Sequence, residues 1–287
     1  MYFYDIKILI MKKNILLDLK KNLDLYFVEK INLDLLKKNI SQLKKEFLNK
    51  DNFHIVIKNF ENNPKKMEKK LILFSKLFGI PLNQNKNFEK FVKIKPNVKL
   101  LRKKQKDKSV KLRYHQTNAG GAIHSDGPQL STPPKYVIMG CLRQAKKGGY
   151  SIITSAKKIA DFLKLKKPKT LKVLKRKFFF ERRGFNFANK NIFNKPIFTI
   201  KKKKFRFRYL REYIEAAYMI KSIKLNKNQN DALNILDKLL VKREFQSKYK
   251  LNEGDIIILN NNYLAHGRSS FKLNISNQRS LMRIWIK

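Results

Sequence analysis

The chain has 287 residues, 67 Lys and Arg against 21 Asp and Glu for a formal net charge of +46, and a hydrophobic share of 43%. That share excludes an intrinsically disordered chain, and a lone cysteine, Cys141, excludes an intramolecular disulfide and fits a reducing compartment. The charge favours polyanions in principle, but the lysines run from Lys7 to Lys287 without forming one block. They are read as a chain-wide bias on solvated faces, and nucleic acid is not the expected partner.

The opening Met1 to Ile10 is apolar but interrupted by Asp5 and Lys7, with no small-residue cleavage site after it, so it is not read as a signal peptide; Met11-Lys12-Lys13 is an alternative start. No run reaches the ~18 apolar residues of a membrane span, so a cytoplasmic protein without a membrane partner is expected. Residues 1–30 are set apart as an N-terminal extension, and 31–287 are read as one domain. Leu36, Ile40, Leu43 and Phe47 recur at helical spacing. Phe53, Ile55 and Ile57 then alternate as in a strand, where His54 reads as a structural histidine. Asn63-Pro64 has the form of a cap and first position for a second helix, whose stripe is Met67, Leu71, Phe74 and Phe78.

From Phe88 onward short strand-like runs take over: 91–94, 136–142, 151–154, 197–200, 255–259 and 280–286, with Gly, Pro and Asn between them. Many short strands with turn signals predict a sandwich or barrel, here a mostly β, α+β fold. Helical patches near Ala156 to Leu163 and Asp231 to Phe245 interrupt it, and a mixed insertion is expected at about 155–225. In Lys201 to Tyr209, Phe205, Phe207 and Tyr209 are expected to face the core, while Lys204, Arg206 and Arg208 face water on a charge-protected edge strand. Cys141 lies in the apolar run Tyr136 to Leu142 and reads as a buried thiol rather than a nucleophile.

The chemistry gathers in two distant segments. In extended backbone, residues two apart point to the same side, so His124 and Asp126 of His124-Ser125-Asp126 can ligate one metal while Ser125 faces away. The pair is a weak signal alone, and His266, just after the run Asp255 to Leu259, completes it. Two imidazoles and a carboxylate on one side of a metal leave the other side open, which suits non-haem Fe(II) that must hold a cosubstrate and O₂. In the last run Arg279, Leu281, Arg283 and Trp285 share a face, so two arginines look inward. Buried guanidinium calls for an anion, and a small carboxylate fits its fork. Arg283 has an alternative partner in an internal acid such as Glu215. Asn118, in the loop Tyr114 to Asn118 before His124, is a candidate substrate contact.

His124-Ser-Asp126, Gly148-Gly-Tyr-Ser151, Asn261 through His266-Gly-Arg268 with Phe271, and Arg279 followed by Arg283 together resemble the taurine dioxygenase (TauD/TfdA) family of Fe(II)- and 2-oxoglutarate-dependent oxygenases, relatives of clavaminate synthase, from about residue 30 to the end. The resemblance implies a double-stranded β-helix (jelly-roll) core. It implies that His124, Asp126 and His266 are the catalytic metal ligands, that Arg279 holds the distal carboxylate of 2-oxoglutarate, and that Ser151 assists where the family usually carries threonine. Tyr150 stands where the family usually has an acid, and Arg283 stands where relatives with acidic substrates place a substrate-binding arginine. The implied reaction is hydroxylation of a small anionic or zwitterionic metabolite, an amino acid, betaine or sulfonate, with 2-oxoglutarate and O₂ as cosubstrates and release of succinate and CO₂. Because Asp126 is present, halogenation is not expected. The alternatives are the same chemistry on a nucleic-acid or protein substrate, or a non-catalytic basic jelly-roll binding protein; a homo-oligomer is left open.

Overall fold

In the computed structural model the two longest strands, Tyr136–Arg143 and Ser280–Ile286, pair antiparallel within a seven-stranded sheet. The structure describes residues 25–28, 40–41, 44, 54–85, 87–108, 116–183, 191–201 and 204–287. Most of the helix expected over residues 36–47 lies outside them, although Ile40 and Ser41 are helical. The first half of the chain contains β1 (Leu25–Val28), β2 (His54–Ile57), α1 (Pro64–Lys76), β3 (Pro81–Leu82), β4 (Phe91–Ile94), α2 (Val98–Lys106), β5 (Gly121–His124) and β6 (Tyr136–Arg143). The middle contains β7 (Ser151–Ser155), α3 (Ala156–Lys166), α4 (Pro168–Leu174), β8 (Lys177–Glu181), β9 (Ile192–Pro196), β10 (Phe198–Lys201), β11 (Lys204–Phe207) and α5 (Arg211–Ile220). The chain ends with α6 (Lys227–Leu240), a 3-10 turn (Arg243–Phe245), β12 (Gln246–Tyr249), β13 (Ile256–Asn260), β14 (Leu264–Arg268) and β15 (Ser280–Ile286).

The larger sheet runs β1-β2-β13-β6-β15-β3, with β4 also on β15, and the smaller one runs β12-β7-β14-β5. Only the β1–β2 pair of these sheets is parallel, and it brings part of the stretch set apart as residues 1–30 into the larger sheet. Alternation along β15 decides what each face meets. Met282, Ile284 and Ile286 pack with Met67, Leu71 and Phe74 of α1, while Leu281 and Trp285 share a core with Ile153 and Leu264 of the smaller sheet. The two sheets therefore face one another across an apolar layer, as the jelly-roll expectation required. Each Leu or Ile fully buried there contributes roughly 1.5–3 kcal/mol relative to exposure.

Local chemistry explains where α1 begins and how closely it lies. Asn63 accepts at Oδ1 from the backbone N–H groups of Lys65 and Lys66, and Pro64 occupies the first turn, as its sequence signature predicted. The helix lies against β6 at Gly140, where a Cβ would stand 2.7 Å from Met67 Cε and 2.8 Å from Leu71 Cδ2. The last expected helix begins four residues earlier than Asp231, at Lys227, because Asn226 and Gln229 form a capping box.

A further apolar cluster joins Ile159 and Leu163 of α3 to Phe178 and Phe180 of β8, Phe205 and Phe207 of β11, and Leu233 and Leu236 of α6, and it reaches Ile123 of β5 and Ala265 of β14 in the smaller sheet. One expectation here fails. Phe205, Phe207 and Tyr209 are buried as predicted, but Arg208 is buried too, because alternation stops when β11 ends at Phe207. Its guanidinium donates to the carbonyls of Pro128, Leu130 and Ser131, so it ties the insertion to the loop after Asp126. Among the described residues no helix is long and apolar enough to cross a membrane.

Candidate metal centre

β5 and β14 are neighbours in the smaller sheet, and their register sets His124 directly opposite His266. The two imidazole centroids are 4.7 Å apart. Asp126 follows β5 by two residues, and one ligand atom from each of His124, Asp126 and His266 lies within 4.8 Å of the others. All three are buried, with relative exposures of 2%, 2% and 6%. Ring orientation is set from behind, since His124 Nδ1 is 2.8 Å from the Ala122 carbonyl oxygen, which leaves Nε2 toward the centre.

The backbone of this segment is gripped on both sides. Asn261, just past β13, accepts at Oδ1 from the Asp126 N–H at 2.8 Å and donates from Nδ2 to the carbonyls of Asp126 and Pro134. On the other side Ser125 donates its N–H to the Tyr209 carbonyl, and its Oγ accepts from the Tyr209 N–H. A ligand held this way keeps its direction without a metal, which reduces the ordering cost of binding one.

Burial alone would oppose ionisation of Asp126, but the Arg283 guanidinium and the two imidazoles overcome it and hold the carboxyl far below the usual carboxylate range. Arg283 Nη1 donates to Oδ1 at 2.8 Å. Oδ2 is buried without a hydrogen-bond partner, and His266 Nε2 lies 3.5 Å from it. Burial pushes the His266 imidazolium down to about 3, so the ring is neutral at pH 7. A buried carboxylate oxygen lacking a donor, with the neutral His266 ring and His124 beside it, is an electron-rich cradle. A divalent cation supplies the missing partner, and this N₂O donor set suits Fe(II).

Arg279 precedes β15 and is 5% exposed. Its Nε donates to Gln144 Oε1 at 3.0 Å, and it lies over the Phe271 ring at 5.7 Å. Burial, reinforced by Arg268, pushes its proton affinity down to about 10, and no acid among the described residues forms an ion pair with it. A buried cation without a protein counter-ion is suited to an anionic ligand. The Gly-Gly sequence is needed here because Gly149 has φ +75°, and a Cβ would come within 2.9 Å of Gln144 Oε1 and 3.0 Å of Arg279 Nε. Ser151 opens β7, is buried, and stands opposite Arg268 of β14. Tyr150 beside it is 43% exposed.

Two expected substrate contacts have protein partners. Asn118 Nδ2 donates to the Phe271 carbonyl at 3.2 Å, and the Phe271 N–H returns to the Asn118 carbonyl, so this amide straps the 271 loop. Arg283 pairs with an internal acid, which is Asp126; Glu215 pairs instead with Arg211. His54 is buried with Nε2 3.4 Å from Ser247 Oγ, as befits a structural histidine. Sequence reasoning missed the roles of Asn261, of Gln144 and of Gln84, whose Oε1 accepts from Arg283 Nε at 2.8 Å. Asn261 at least lay inside a motif segment, whereas the two glutamines gave no local signal.

The family model described as "Taurine catabolism dioxygenase TauD, TfdA family" matches residues 29–285. An asparagine oxygenase solved with Fe(II), 2S,3S-3-hydroxyasparagine and succinate is similar at a TM-score of 0.66 and 13% identity, over 88% of this chain and 79% of that one. A taurine dioxygenase from Burkholderia xenovorans has a TM-score of 0.63 and 15% identity, over 93% and 89% of the two chains. The non-heme iron oxygenase OrfP, in complex with Fe and alpha-ketoglutaric acid, has a TM-score of 0.60 and 14% identity, over 89% and 78%. At such identities the likeness shows the shared fold.

Proposed function

The chain belongs to the TauD/TfdA family of 2-oxoglutarate-dependent non-haem iron oxygenases, and from that premise we propose that it hydroxylates a small zwitterionic or anionic metabolite, an amino acid, betaine or sulfonate. The observation that carries the reading is the buried His124, Asp126 and His266 set, with its ligand atoms within 4.8 Å of one another. Bound by those three side chains, Fe(II) with 2-oxoglutarate and O₂ supplies the oxidising power that converts C–H to C–OH as 2-oxoglutarate leaves as succinate and CO₂.

The rest falls to the protein's own groups. Arg279, fixed at Nε by Gln144 and at its flank by Gly149, presents its remaining donors to the distal carboxylate of 2-oxoglutarate, and Ser151 lines the same corner. Arg283 spends Nε and Nη1 on Gln84 and Asp126, which leaves Nη2 as the donor for the anionic end of a substrate. Asn118 acts through Phe271, whose ring lies against Arg268 and Arg279. Residues 31–287 serve as one oxygenase domain, with the insertion at about 155–225 shaping the substrate side. The substrate class draws support from relatives bound to hydroxyasparagine and to hydroxyarginine.

Anaerobic Fe(II) plus 2-oxoglutarate is expected to give a weak metal-to-ligand charge-transfer band in the visible that is lost in His266→Ala. A wild-type protein without this band overturns the reading. Succinate release across a panel of amino acids, betaines and sulfonates then identifies the substrate class, and a panel that never exceeds the substrate-free rate refutes the small-metabolite assignment.

A further inference from the structure

Arginine forks ordinarily take carboxylates bidentately, with two parallel N–H···O bonds. Had Arg283 done so, both oxygens of Asp126 would be occupied. Instead only Nη1 engages, at Oδ1 and 2.8 Å, and Oδ2 keeps its lone pairs. The cause lies on the far side of the guanidinium. Arg283 Nε donates to Gln84 Oε1 at 2.8 Å, and Gln84 Nε2 returns to the Arg283 carbonyl at 2.7 Å, so side chain and backbone of the arginine are held by one amide. The guanidinium carbon also lies over the Trp285 ring, 4.8 Å from its centroid, a further contact that holds the group in place.

Gln84 is itself immobilised. It is 6% exposed, its Nε2 also donates to the Lys90 carbonyl at 2.7 Å, and its N–H reaches the Glu89 carbonyl. The loop that carries it joins β3 and β4, and both of those strands pair with β15, where Leu82 faces Trp285 and Val92 faces Arg283. The β3–β4 loop thus acts on the Asp126 carboxylate through Arg283 of β15, which is remote from it in sequence.

We propose that Gln84 is a positioning residue of the metal site: by restraining Arg283 to a single-point grip on Asp126 Oδ1, it reserves Oδ2 as the ligand oxygen. The inference rests on the metal-site reading above. It is tested by anaerobic Co(II) titration of the full chain, read by d–d absorption, with neither 2-oxoglutarate nor substrate present. Gln84→Leu, which loses both hydrogen-bonding ends, should bind Co(II) at least about 10-fold more weakly than wild type. Its d–d spectrum should also shift as the carboxylate changes its engagement. Gln84→Glu keeps an acceptor for Arg283 Nε but loses the two bonds donated by Nε2, so it should lose less Co(II) affinity than Gln84→Leu and fall between that variant and wild type. Gln84→Asn, too short to reach Nε, should behave like Gln84→Leu and carries the test if the leucine variant does not fold. A folded Leu or Asn variant with wild-type Co(II) affinity and spectrum overturns the proposal, and so does loss in Gln84→Glu equal to that in Gln84→Leu. A wild-type chain that takes no Co(II) at all overturns the metal-site reading itself.

Discussion

Asn261 offers the sharpest quantitative test of how the site is held. Replacing it with alanine removes three hydrogen bonds made by one side chain that is 2% exposed, and strands the Asp126 N–H together with the Asp126 and Pro134 carbonyls. A buried polar group left unsatisfied costs about 1–3 kcal/mol, so three of them, partly relieved by an entering water, give a loss of about 3–5 kcal/mol. That is a large share of the roughly 5–15 kcal/mol that separates folded from unfolded domains. Asn274 provides the control, since its Oδ1 accepts from the Ser276 N–H, the Ser276 hydroxyl and the Asn277 N–H, all exposed. Asn274→Ala loses as many bonds but returns them to water, at a cost of about 0.5 kcal/mol. Urea unfolding, followed by circular dichroism and by the fluorescence of Trp285, the single tryptophan, separates the two. With a slope of about 3 kcal/mol per molar, the Asn261→Ala midpoint should fall by about 1 M or more. If the two alanine variants unfold within 1 kcal/mol of each other, burial is not what makes the Asn261 bonds matter, and the two-sided grip on Asp126 is misjudged.

Gly149→Ala should separate the cosubstrate corner from the metal. The new Cβ meets Gln144 Oε1 and Arg279 Nε at 2.9 and 3.0 Å, so 2-oxoglutarate affinity should fall about 10-fold while Co(II) affinity holds, and an unchanged 2-oxoglutarate titration refutes the role of Arg279 geometry. Burial pushes the Cys141 thiol up to about 12 despite the nearby Arg279, so the reactive thiolate is scarce at every pH from 7 to 9. A thiol reagent should find no accessible group in the native protein and one in urea; rapid native labelling at pH 8 contradicts the assigned burial. Arg208→Met should destabilise the fold by about 3 kcal/mol, because three carbonyls lose their donor, and a neutral result in urea unfolding removes the claim that Arg208 ties the insertion to the loop after Asp126.

What could be read in the chain was what repeats or clusters locally. Alternation placed β15 at Ser280–Ile286 and sent Arg283 to the same side as Leu281 and Trp285, and a cap followed by proline marked α1. The two-residue spacing of His124 and Asp126 survived folding: although β5 ends at His124, both side chains reach the same centre. Elements without a stripe were not legible. α2 buries none of its residues, and among the described residues the short strands β8 and β9 form a two-stranded sheet, so neither left a periodic trace. The supporting residues were invisible for another reason. Gln84 lies 199 positions from Arg283, and Gln144 lies 135 from Arg279, so only the folded sheet brings them together. Arg208 misled because alternation was extended past the point where hydrogen-bonded pairing ends.

The facing register of His124 and His266 limits how this chain can vary in length. Successive side chains on a strand point to opposite layers, so deleting one residue between Gly121 and His124 would turn an imidazole out of the cavity, however well the new neighbours packed. Substitution along β5 and β14 is therefore a matter of degree, while insertion or deletion there is all or nothing. Changes of length belong in the connections between strands, and the long excursion between β7 and β12 is free of this constraint.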